Sequence, residues 1–502
     1  MNFAFIKQRK RSVLLLSSVF LLFGMLSFLS YFLPKLNTII FFILSFLTLF
    51  LAIYRFRWAL YLVLAELFIN SMGYIFFWEA GGLKLSLRMS LWLIIMAVFL
   101  AKIILSFFRK KGQNLLKKYQ ALPHFYLFLL LALILIISFI FGLFKNGFAD
   151  AFFDFNAWLY LALLLPLWWV YYEADDKNKF KEDLILIFLA GVIFLSFKSL
   201  LLLFFFSHSS PFFIKDIYRW TRDYYLGEAT VMSGGFYRIF LQAQIFVVFA
   251  FFFSFLAFLK AKKKRERIII GAFNISFGAV LILSFSRSFW LGALLSLCFL
   301  LVFIWKKYSF SKALRTAFDA LASLILSFLL VLLLINIPLF GSQNTFGLDS
   351  LSERAQLNLP ESALSSRWAL LEVMKNDLDA SVFLGRGFGA RLEYKSSDPR
   401  VLEQSIDGTY STYAFEWGWF DICLKIGLIG AFVYAYLLFL ILKDFFLKLN
   451  KENFILSGGI ILSLISLIII NFFTPYLNHP LGIIFVILPI LFIDSKKEKN
   501  FS

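Results

Sequence analysis

Long apolar runs separated by short charged clusters repeat along the whole chain. Runs of about 18 or more apolar residues are long enough to cross the hydrocarbon core of a bilayer as α-helices. The pattern predicts an all-α, polytopic membrane protein with about 14 transmembrane helices, within a range of about 12–14. The predicted spans cover residues 12–33, 36–54, 58–76, 87–108, 123–144, 150–172, 182–206, 237–259, 268–285, 288–305, 316–338, 419–442, 455–472 and 481–493.

The first run follows the basic stretch "KQRKR", an arrangement similar to that of a secretory signal peptide. The apolar run from Ser12 to Leu33 is longer than the apolar region of such peptides, about 7–15 residues, and it lacks a small-residue cleavage site. We therefore expect this run to be retained as the first span.

The composition excludes an ordinary soluble protein. Of the 502 residues, 61% are hydrophobic and 16% are charged, and the mean hydropathy is +0.84. Polar groups could not cover the surface of a soluble globule of this composition. Cys298 and Cys423 both fall in apolar runs, where we expect small buried side chains and no disulfide.

Basic residues accumulate in alternate loops, as the positive-inside rule expects of cytoplasmic loops. With the N-terminus inside, the inner segments include the basic stretches "RKKGQNLLKK", "KAKKKRER" and "KKYSFSKALR", and only residues 173–183 depart from the trend. Both termini are then cytoplasmic. The excess of 49 Lys and Arg over 30 Asp and Glu is mostly a topological bias that suits anionic lipid head groups, and it does not indicate a nucleic-acid partner.

Two outer loops of substantial size follow from this topology, at about 207–237 and 338–418. The longer loop is net acidic and contains "SSRWALLEVMKNDLDASVFLGRGFG", a helix-like segment followed by a glycine-rich turn. A loop of this length usually carries function. The predicted organisation has four parts: N-terminal helices in 1–236 with a loop at about 207–236, helices in 237–338, the large loop in 339–418, and C-terminal helices with a basic tail in 419–502.

Several kinds of chemistry lack their motifs. The chain has no Walker motif, no Gly-x-Ser-x-Gly and no Cys/His cluster with metal-ligand spacing, so we expect no metal site and no cofactor. Of the three histidines, His124 is predicted on the inner side, and His208 and His479 on the outer side.

Arginines on the predicted outer face are the most informative polar residues. Arginine suits phosphate recognition because its planar fork stays charged and binds oxygens in pairs. An arginine at a helix end can also simply anchor that end at the membrane interface. The candidates for binding a lipid-linked diphosphate are Arg219 and Arg222 in "YRWTRDYY", Arg238 at the start of the eighth span with Gln242 one turn below, Arg287 in "LSFSRSFWLG", Arg367 at the start of the loop helix, and Arg386 in "GRGFG".

Arg287 has the strongest claim among them, because an ionisable residue between two membrane helices is a functional candidate by default. The ninth span brings the chain to the outer side and the tenth takes it back, so the turn at residues 286–288 is predicted to be outside. Trp290 is then placed to act as an interface anchor.

Three segments resemble the O-antigen ligase and polymerase superfamily, in the same order. "SFSRSFWLGALLSL" resembles its serine–arginine motif between two spans, and "SSRWALLEVMKNDLDASVFLGRGFGA" resembles its loop helix and glycine turn. "EWGWFDICLKIGLIGAFVYAYLL" resembles the entry into the helix after the large periplasmic loop, with its Gly-Leu-Ile-Gly signature. The resemblance spans roughly Ile268 to Leu442; the N-terminal half is similar only as a series of spans.

The resemblance implies a GT-C-like, inverting, metal-independent glycosyltransferase in the bacterial inner membrane with a periplasmic active site. Such enzymes transfer a glycan from undecaprenyl diphosphate to a hydroxyl of another glycan or of the lipid A core. Arginines would neutralise the diphosphate leaving group, and a general base would activate the acceptor. A chain-length regulator protein is a further candidate partner.

The chain departs from the ligases of this family at the expected base. Ligases tend to carry a His-Asn pair about eleven residues before the Gly-Leu-Ile-Gly signature, and here that position holds Glu416. A carboxylate can act as a base, but an acid at a helix N-terminus also stabilises the helix dipole. Asp421 and His479 are the further candidates; for His479 a helix-capping role is the alternative.

The missing histidine and the fourteen predicted spans favour a polymerase slightly over a ligase. A lipid-linked oligosaccharide flippase is the rival class, but a transporter is expected to show internal repeats or mid-span charges. Lys198 is the clearest such charge, and no repeat is visible. A non-catalytic scaffold would not need the outer arginines.

Overall fold

Helices dominate the computed structural model, which describes residues 9–108, 117–208, 214–232, 237–337, 362–378, 382–396, 399–402, 405, 407–450 and 452–493. Parts of the predicted inner segments, of both outer loops and of the C-terminal tail lie outside the described residues. The helices are α1 (Lys10–Phe32), α2 (Pro34–Tyr54), α3 (Phe56–Ile69), α4 (Leu87–Phe108), α5 (Phe125–Asn146), α6 (Phe148–Phe155), α7 (Leu164–Glu173), α8 (Lys177–Ser207), α9 (Ile214–Asp223), α10 (Ile245–Lys260), α11 (Lys264–Leu283), α12 (Arg287–Lys307), α13 (Phe310–Asn336), α14 (Ser362–Leu378), α15 (Pro399–Leu402), α16 (Gly418–Leu447), α17 (Phe454–Ile470) and α18 (Pro480–Ile487).

Among the described residues, 11 helical segments are long and apolar enough to cross a membrane. Two further apolar helical segments, Phe454–Ile470 and Pro480–Phe492, are shorter, and α3 has 14 residues. The chain is therefore a multi-pass helical membrane protein, as its apolar runs predict. The number fourteen stays a prediction.

Three short antiparallel hairpins interrupt the helices and were not predicted. They are β1 (Phe77–Ala80) with β2 (Leu83–Ser86), β3 (Glu228–Val231) with β4 (Tyr237–Phe240), and β5 (Leu392–Lys395) with β6 (Thr409–Thr412). Each pairs the backbone groups of a segment that is too short or too polar to form a spanning helix.

The start of the predicted eighth span is wrong. Residues 237–240 form strand β4, in which Arg238 pairs with Thr230 of β3. The helical segment begins only at Gln242, with one 3₁₀ turn before α10. The sequence Tyr-Arg-Ile-Phe is rich in aromatic and β-branched residues that favour a strand, and the helical spacing assumed between Arg238 and Gln242 does not exist.

The chain divides into two compact units, each built from three segments. Unit 1 comprises Met1–Leu115, Pro166–Arg354 and Lys448–Ser463. It contains a buried ion pair that the sequence analysis missed, in which Arg88 Nε donates to Glu66 Oε2 at 2.7 Å. Other Arg88 nitrogens donate to the backbone carbonyls of Ser71 and Asn70 at 2.8 and 2.7 Å, so the buried charge has backbone partners as well as its counter-ion.

Unit 2 comprises Leu116–Leu165, Ala355–Leu447 and Leu464–Ser502. The described part of the long loop forms a small structure with its own core, in which α14 and β5 pack on the start of α16. The core side chains are Leu370, Leu371, Met374, Leu392, Phe415, Trp417 and Leu424. This core holds the loop against the helix that follows it, so loop residues have defined positions.

Candidate functional site

The turn between α11 and α12 is built as the sequence predicts. α11 ends at Leu283 and α12 begins at Arg287. Phe285 has a φ of 46°, which only a tight turn imposes on an aromatic residue. Trp290 Nε1 donates to the carbonyl oxygen of Leu281 at 2.9 Å, so this hydrogen bond joins the start of α12 to the end of α11. Arg287 is partly exposed at the first position of α12.

Arg238 lies at this same turn. Its Nε donates to the carbonyl oxygen of Ser284 at 2.9 Å, and its guanidinium carbon lies 4.9 Å from the centre of the Phe240 ring. Arg238 of strand β4 therefore contacts the turn that contains Arg287, and both residues are predicted phosphate ligands. Two arginines that the sequence proposes as phosphate ligands thus lie at one turn of unit 1.

Arg219 and Arg222 lie on the exposed side of helix α9. The opposite side of α9 buries Ile217, Trp220 and Thr221. Arg238 and Arg287 share the turn of Ser284, and the phosphate-binding role of Arg219 and Arg222 stays a prediction.

The glycine-rich turn of unit 2 needs its glycines because it lies directly against other backbones. Gly385, Gly387 and Gly389 all have φ values between 75° and 79°. A Cβ atom at Gly387 would lie 2.8 Å from the nitrogen of Gly142 in α5, and one at Gly389 would lie 2.5 Å from the nitrogen of Ala151 in α6. The turn that contains Arg386 is therefore held rigidly between helices.

The same turn also packs on a kink in α16. Gly427, the first glycine of the Gly-Leu-Ile-Gly signature, has φ 70° and ψ 174° inside the helix. The freed backbone groups are satisfied by the loop, because the N–H of Arg386 donates to the carbonyl of Leu424 at 2.7 Å and that of Leu428 to the carbonyl of Val382 at 2.8 Å. The two glycine motifs recognised in the sequence are two sides of one contact.

The Arg386 side chain forms an ion pair with Asp377 of α14. Burial raises the pKa of the Asp377 carboxyl above its ordinary value, and the positive charges of Arg386 and Lys145 partly offset that effect. Arg386 therefore already has an anionic partner within the protein, and a phosphate ligand would have to share the Arg386 guanidinium with Asp377.

Two other predicted residues contact each other. Arg367 and Glu416 form an ion pair whose side chains are 43% and 50% exposed. Arg367 lies in the second turn of α14 and not at its start, because the helix begins at Ser362. The indole N–H of Trp417 donates to the carbonyl of Arg367 at 2.8 Å, which fixes the loop helix next to Glu416.

Asp421, the second predicted base, is buried and belongs to a network that the sequence analysis did not identify. Its Oδ1 lies 2.6 Å from Nζ of Lys425, one turn later in α16. Lys425 Nζ also contacts Asp154 at the end of α6, and the Asn478 amide contacts the Asp421 carboxyl. The i, i+4 spacing of Asp421 and Lys425 within an apolar run is the signal that could have revealed the pair.

His479 caps a helix, which is the alternative named for it in the sequence analysis. It precedes α18, and its Nδ1 accepts the N–H of Leu481 at 3.3 Å. Its chain neighbour Asn478 places it beside the Asp421 network. His124, by contrast, contacts Asp444 at 2.7 Å, and both lie at the ends of α5 and α16 predicted to face the cytoplasm.

Within the described ranges, no group of three or more His, Cys, Asp or Glu residues could hold a metal ion. Unit 1 instead supplies the guanidinium groups of Arg238 and Arg287 at one turn. Unit 2 supplies the half-exposed carboxylate of Glu416 and a buried polar network around Asp421.

This geometry defines a class of protein: a multi-pass helical membrane protein that carries polar residues in the loops of its C-terminal half. Residues 272–435 match the family model described as O-antigen ligase. This part of the chain is similar to the O-antigen ligase family, which confirms the resemblance seen in the sequence. The match includes Arg287, the long loop, Glu416 and the Gly427 kink. A search among curated proteins found no match.

Proposed function

We propose that the chain is a membrane glycosyltransferase that transfers or polymerises glycan from undecaprenyl diphosphate during the synthesis of a surface polysaccharide. The family match of residues 272–435 carries this proposal. It is supported by the contact of Arg238 with the turn of Arg287, because a diphosphate leaving group needs paired positive charge.

In the proposed reaction, Arg238 and Arg287 bind the diphosphate and stabilise the negative charge that develops on it as the glycosidic bond breaks. Arg219, Arg222, Arg367 and Arg386 remain further candidates for contacts with the phosphates or the glycan. The displacement is inverting and of GT-C type, and it proceeds without a metal, since the arginines supply the positive charge that a metal otherwise provides.

Glu416 is the proposed general base. Its carboxylate is half-exposed, so an acceptor hydroxyl can reach it, whereas Asp421 is 3% exposed and His479 caps a helix. Arg367 orients the carboxylate through the contact of its Nε with Glu416 Oε2. The acceptor proton would pass to a Glu416 oxygen while the hydroxyl attacks the anomeric carbon.

The proposed acceptor is another glycan repeat, which makes the protein a polymerase. A ligase acting on the lipid A core is the alternative within the family, and a lipid-linked oligosaccharide flippase is the alternative outside it. The carboxylate at position 416, where ligases tend to have a histidine, favours the polymerase. The proposed location is the bacterial inner membrane, with cytoplasmic termini and a periplasmic site.

Deletion of the gene tests this function by the glycans that accumulate. Surface glycolipid from the deletion strain is separated on a gel, and polyprenyl-linked glycans are extracted in parallel. For a polymerase, we expect a single repeat unit on the surface acceptor. Loss of all attached glycan with long chains on the carrier would indicate a ligase, single units trapped on the inner leaflet would indicate a flippase, and an unchanged pattern would overturn the proposal.

Complementation then tests the site. Arg287→Ala and Glu416→Gln are each expected to abolish transfer while the protein accumulates in the membrane. Arg315→Ala, which removes an exposed arginine on α13, is the matched control and is expected to restore the wild-type pattern. Normal transfer with both site variants would refute the assignment of these two residues.

A further inference from the structure

Asp154, Asp421, Lys425 and Asn478 form one connected polar network inside unit 2. The side chains of the three charged residues are 6%, 3% and 5% exposed, respectively. Lys425 Nζ contacts one oxygen of each carboxyl group. The fourth member, Asn478, contacts Asp421 Oδ2 through its amide.

The charges of this network do not balance if every group is ionised. Two carboxylates and one ammonium leave one net negative charge, and a net charge buried among apolar helices costs far more than a neutral cluster. Asp150 also acts on Asp154, but it is paired with Arg391, so that pair adds no net charge. The Phe415 ring, 5.4 Å from Lys425 Nζ, carries no charge. A single proton bound to one of the two carboxyl groups makes the network neutral.

The hydrogen-bond partners distinguish the two carboxyl groups. Asp154 Oδ1 accepts a hydrogen bond from Lys425 Nζ, and Asp154 Oδ2 accepts one from the backbone N–H of Gly389 at 2.8 Å. Both partners of Asp154 can only donate. Asp421 contacts the Asn478 amide, which has an acceptor as well as a donor. Asn478 Oδ1 is buried without a hydrogen-bond partner among the described residues, and a rotation of the amide by 180° would place it towards Asp421.

We infer that Asp421 is a neutral carboxylic acid that donates its proton to Asn478 Oδ1, and that Asp154 and Lys425 form the ion pair of the network. Asn478 Oδ1 then has a donor, and Lys425 keeps an ionised partner in Asp154. The ion pair links α6, α16 and, through Gly389, the turn that carries Arg386. Lys425 and Asp154 are therefore positioning residues for the turn of Arg386. This role rests on the proposed function, whereas the protonation of Asp421 is independent of it.

Neutral replacements of the two acids test the protonation. In full-length protein, Asp421→Asn replaces a neutral acid by a neutral amide, and we expect it to accumulate in the membrane within about twofold of wild type. Asp154→Asn removes the ionised partner of Lys425, so Asp421 has to give up its proton and its hydrogen bond to Asn478 to become the counter-ion; we expect accumulation of folded protein to fall further, about fivefold or more. The opposite order of the two variants would overturn the inference.

Infrared spectroscopy of the purified protein in lipid provides a readout that folding alone does not change. A protonated carboxyl has a C=O stretching band that a carboxylate lacks. We expect this band in wild type and its loss in Asp421→Asn. Absence of the band from wild type, or its persistence in Asp421→Asn, contradicts the assignment of the proton to Asp421.

A charge-balanced double variant tests the positioning role. Asp154→Asn combined with Lys425→Met removes both members of the ion pair and should restore accumulation relative to Asp154→Asn alone, because Asp421 then stays neutral and no charge remains in the network. Glycan transfer per folded molecule should still fall about tenfold, since the turn of Arg386 keeps its backbone hydrogen bonds to α16 but loses its link through Asp154 to Lys425. Full transfer by this variant would contradict the positioning role, whereas an unchanged glycan pattern in the deletion strain would contradict only the proposed function.

Discussion

Arg238 donates a hydrogen bond from Nε to the carbonyl oxygen of Ser284, 46 residues away in sequence, at 2.9 Å. The Arg238 side chain of strand β4 thereby contacts the turn that precedes α12, and α12 begins at Arg287. A single arginine at a helix end is often only an anchor at the membrane interface, and the presence of a second arginine at the same turn is what makes a diphosphate site testable here.

Replacement of Arg238 tests this relationship. Arg238→Lys keeps the positive charge but loses the planar fork that can hold Ser284 and a phosphate together. We expect a loss of about 1.5–3 kcal/mol of transition-state stabilisation, or roughly 10–100-fold in transfer rate. The measurement is glycan transfer by membranes that contain equal amounts of the variant and wild type, and equal rates would show that Arg238 only anchors β4.

Gly427 is expected to be irreplaceable for a backbone reason. Its φ of 70° disfavours any Cβ, and the carbonyl oxygen of Phe383 occupies the space that the Cβ would take. Gly427→Ala should lower the melting temperature of the detergent-solubilised protein by several degrees or abolish accumulation. Gly271→Ala is the control, because its Cβ would have ordinary contacts with the Phe258 ring at 3.5 Å, and it should change stability little.

The ion pair of Arg367 and Glu416 should matter for activity and hardly for stability. Both side chains are about half-exposed, and such pairs contribute roughly 0–1 kcal/mol. Glu416→Gln and Arg367→Ala should therefore melt within a few degrees of wild type. Glycan transfer should be lost in Glu416→Gln and reduced less in Arg367→Ala; equal reductions would indicate that the pair, and not the carboxylate, is required.

The buried pair of Glu66 and Arg88 should behave in the opposite way. Glu66→Gln leaves the Arg88 guanidinium without its counter-ion in unit 1 and should cost about 3–5 kcal/mol of stability. Glu66→Leu combined with Arg88→Met, two apolar side chains of similar volume, should recover much of this loss. Thermal unfolding followed by retention of soluble protein in detergent measures both, and a double variant as unstable as Glu66→Gln would contradict this explanation.

The helices of this protein were predictable because each spanning segment satisfies its own backbone hydrogen bonds and needs only a long apolar run. The start of α12 at Arg287 and the glycine turn around Arg386 were predictable for a similar local reason. Strand β4 was not, because its partner β3 lies in a polar loop and a four-residue strand has no apolar run to mark it. The local structure predicted for Arg238 was therefore wrong, and its role in phosphate binding stays a prediction.

The sequence by itself determined the class of the protein, its order of spans, the motif turns and the arginines and acids of interest, since all of these are local patterns of hydropathy and residue type. Only the tertiary structure decided which of them meet. Asp154 and Lys425 are 271 positions apart, and neither the pairing of Arg367 with Glu416 nor that of Arg386 with Asp377 has a local signature. Such contacts depend on how helices and loops pack, and packing is set by side chains from distant segments acting together.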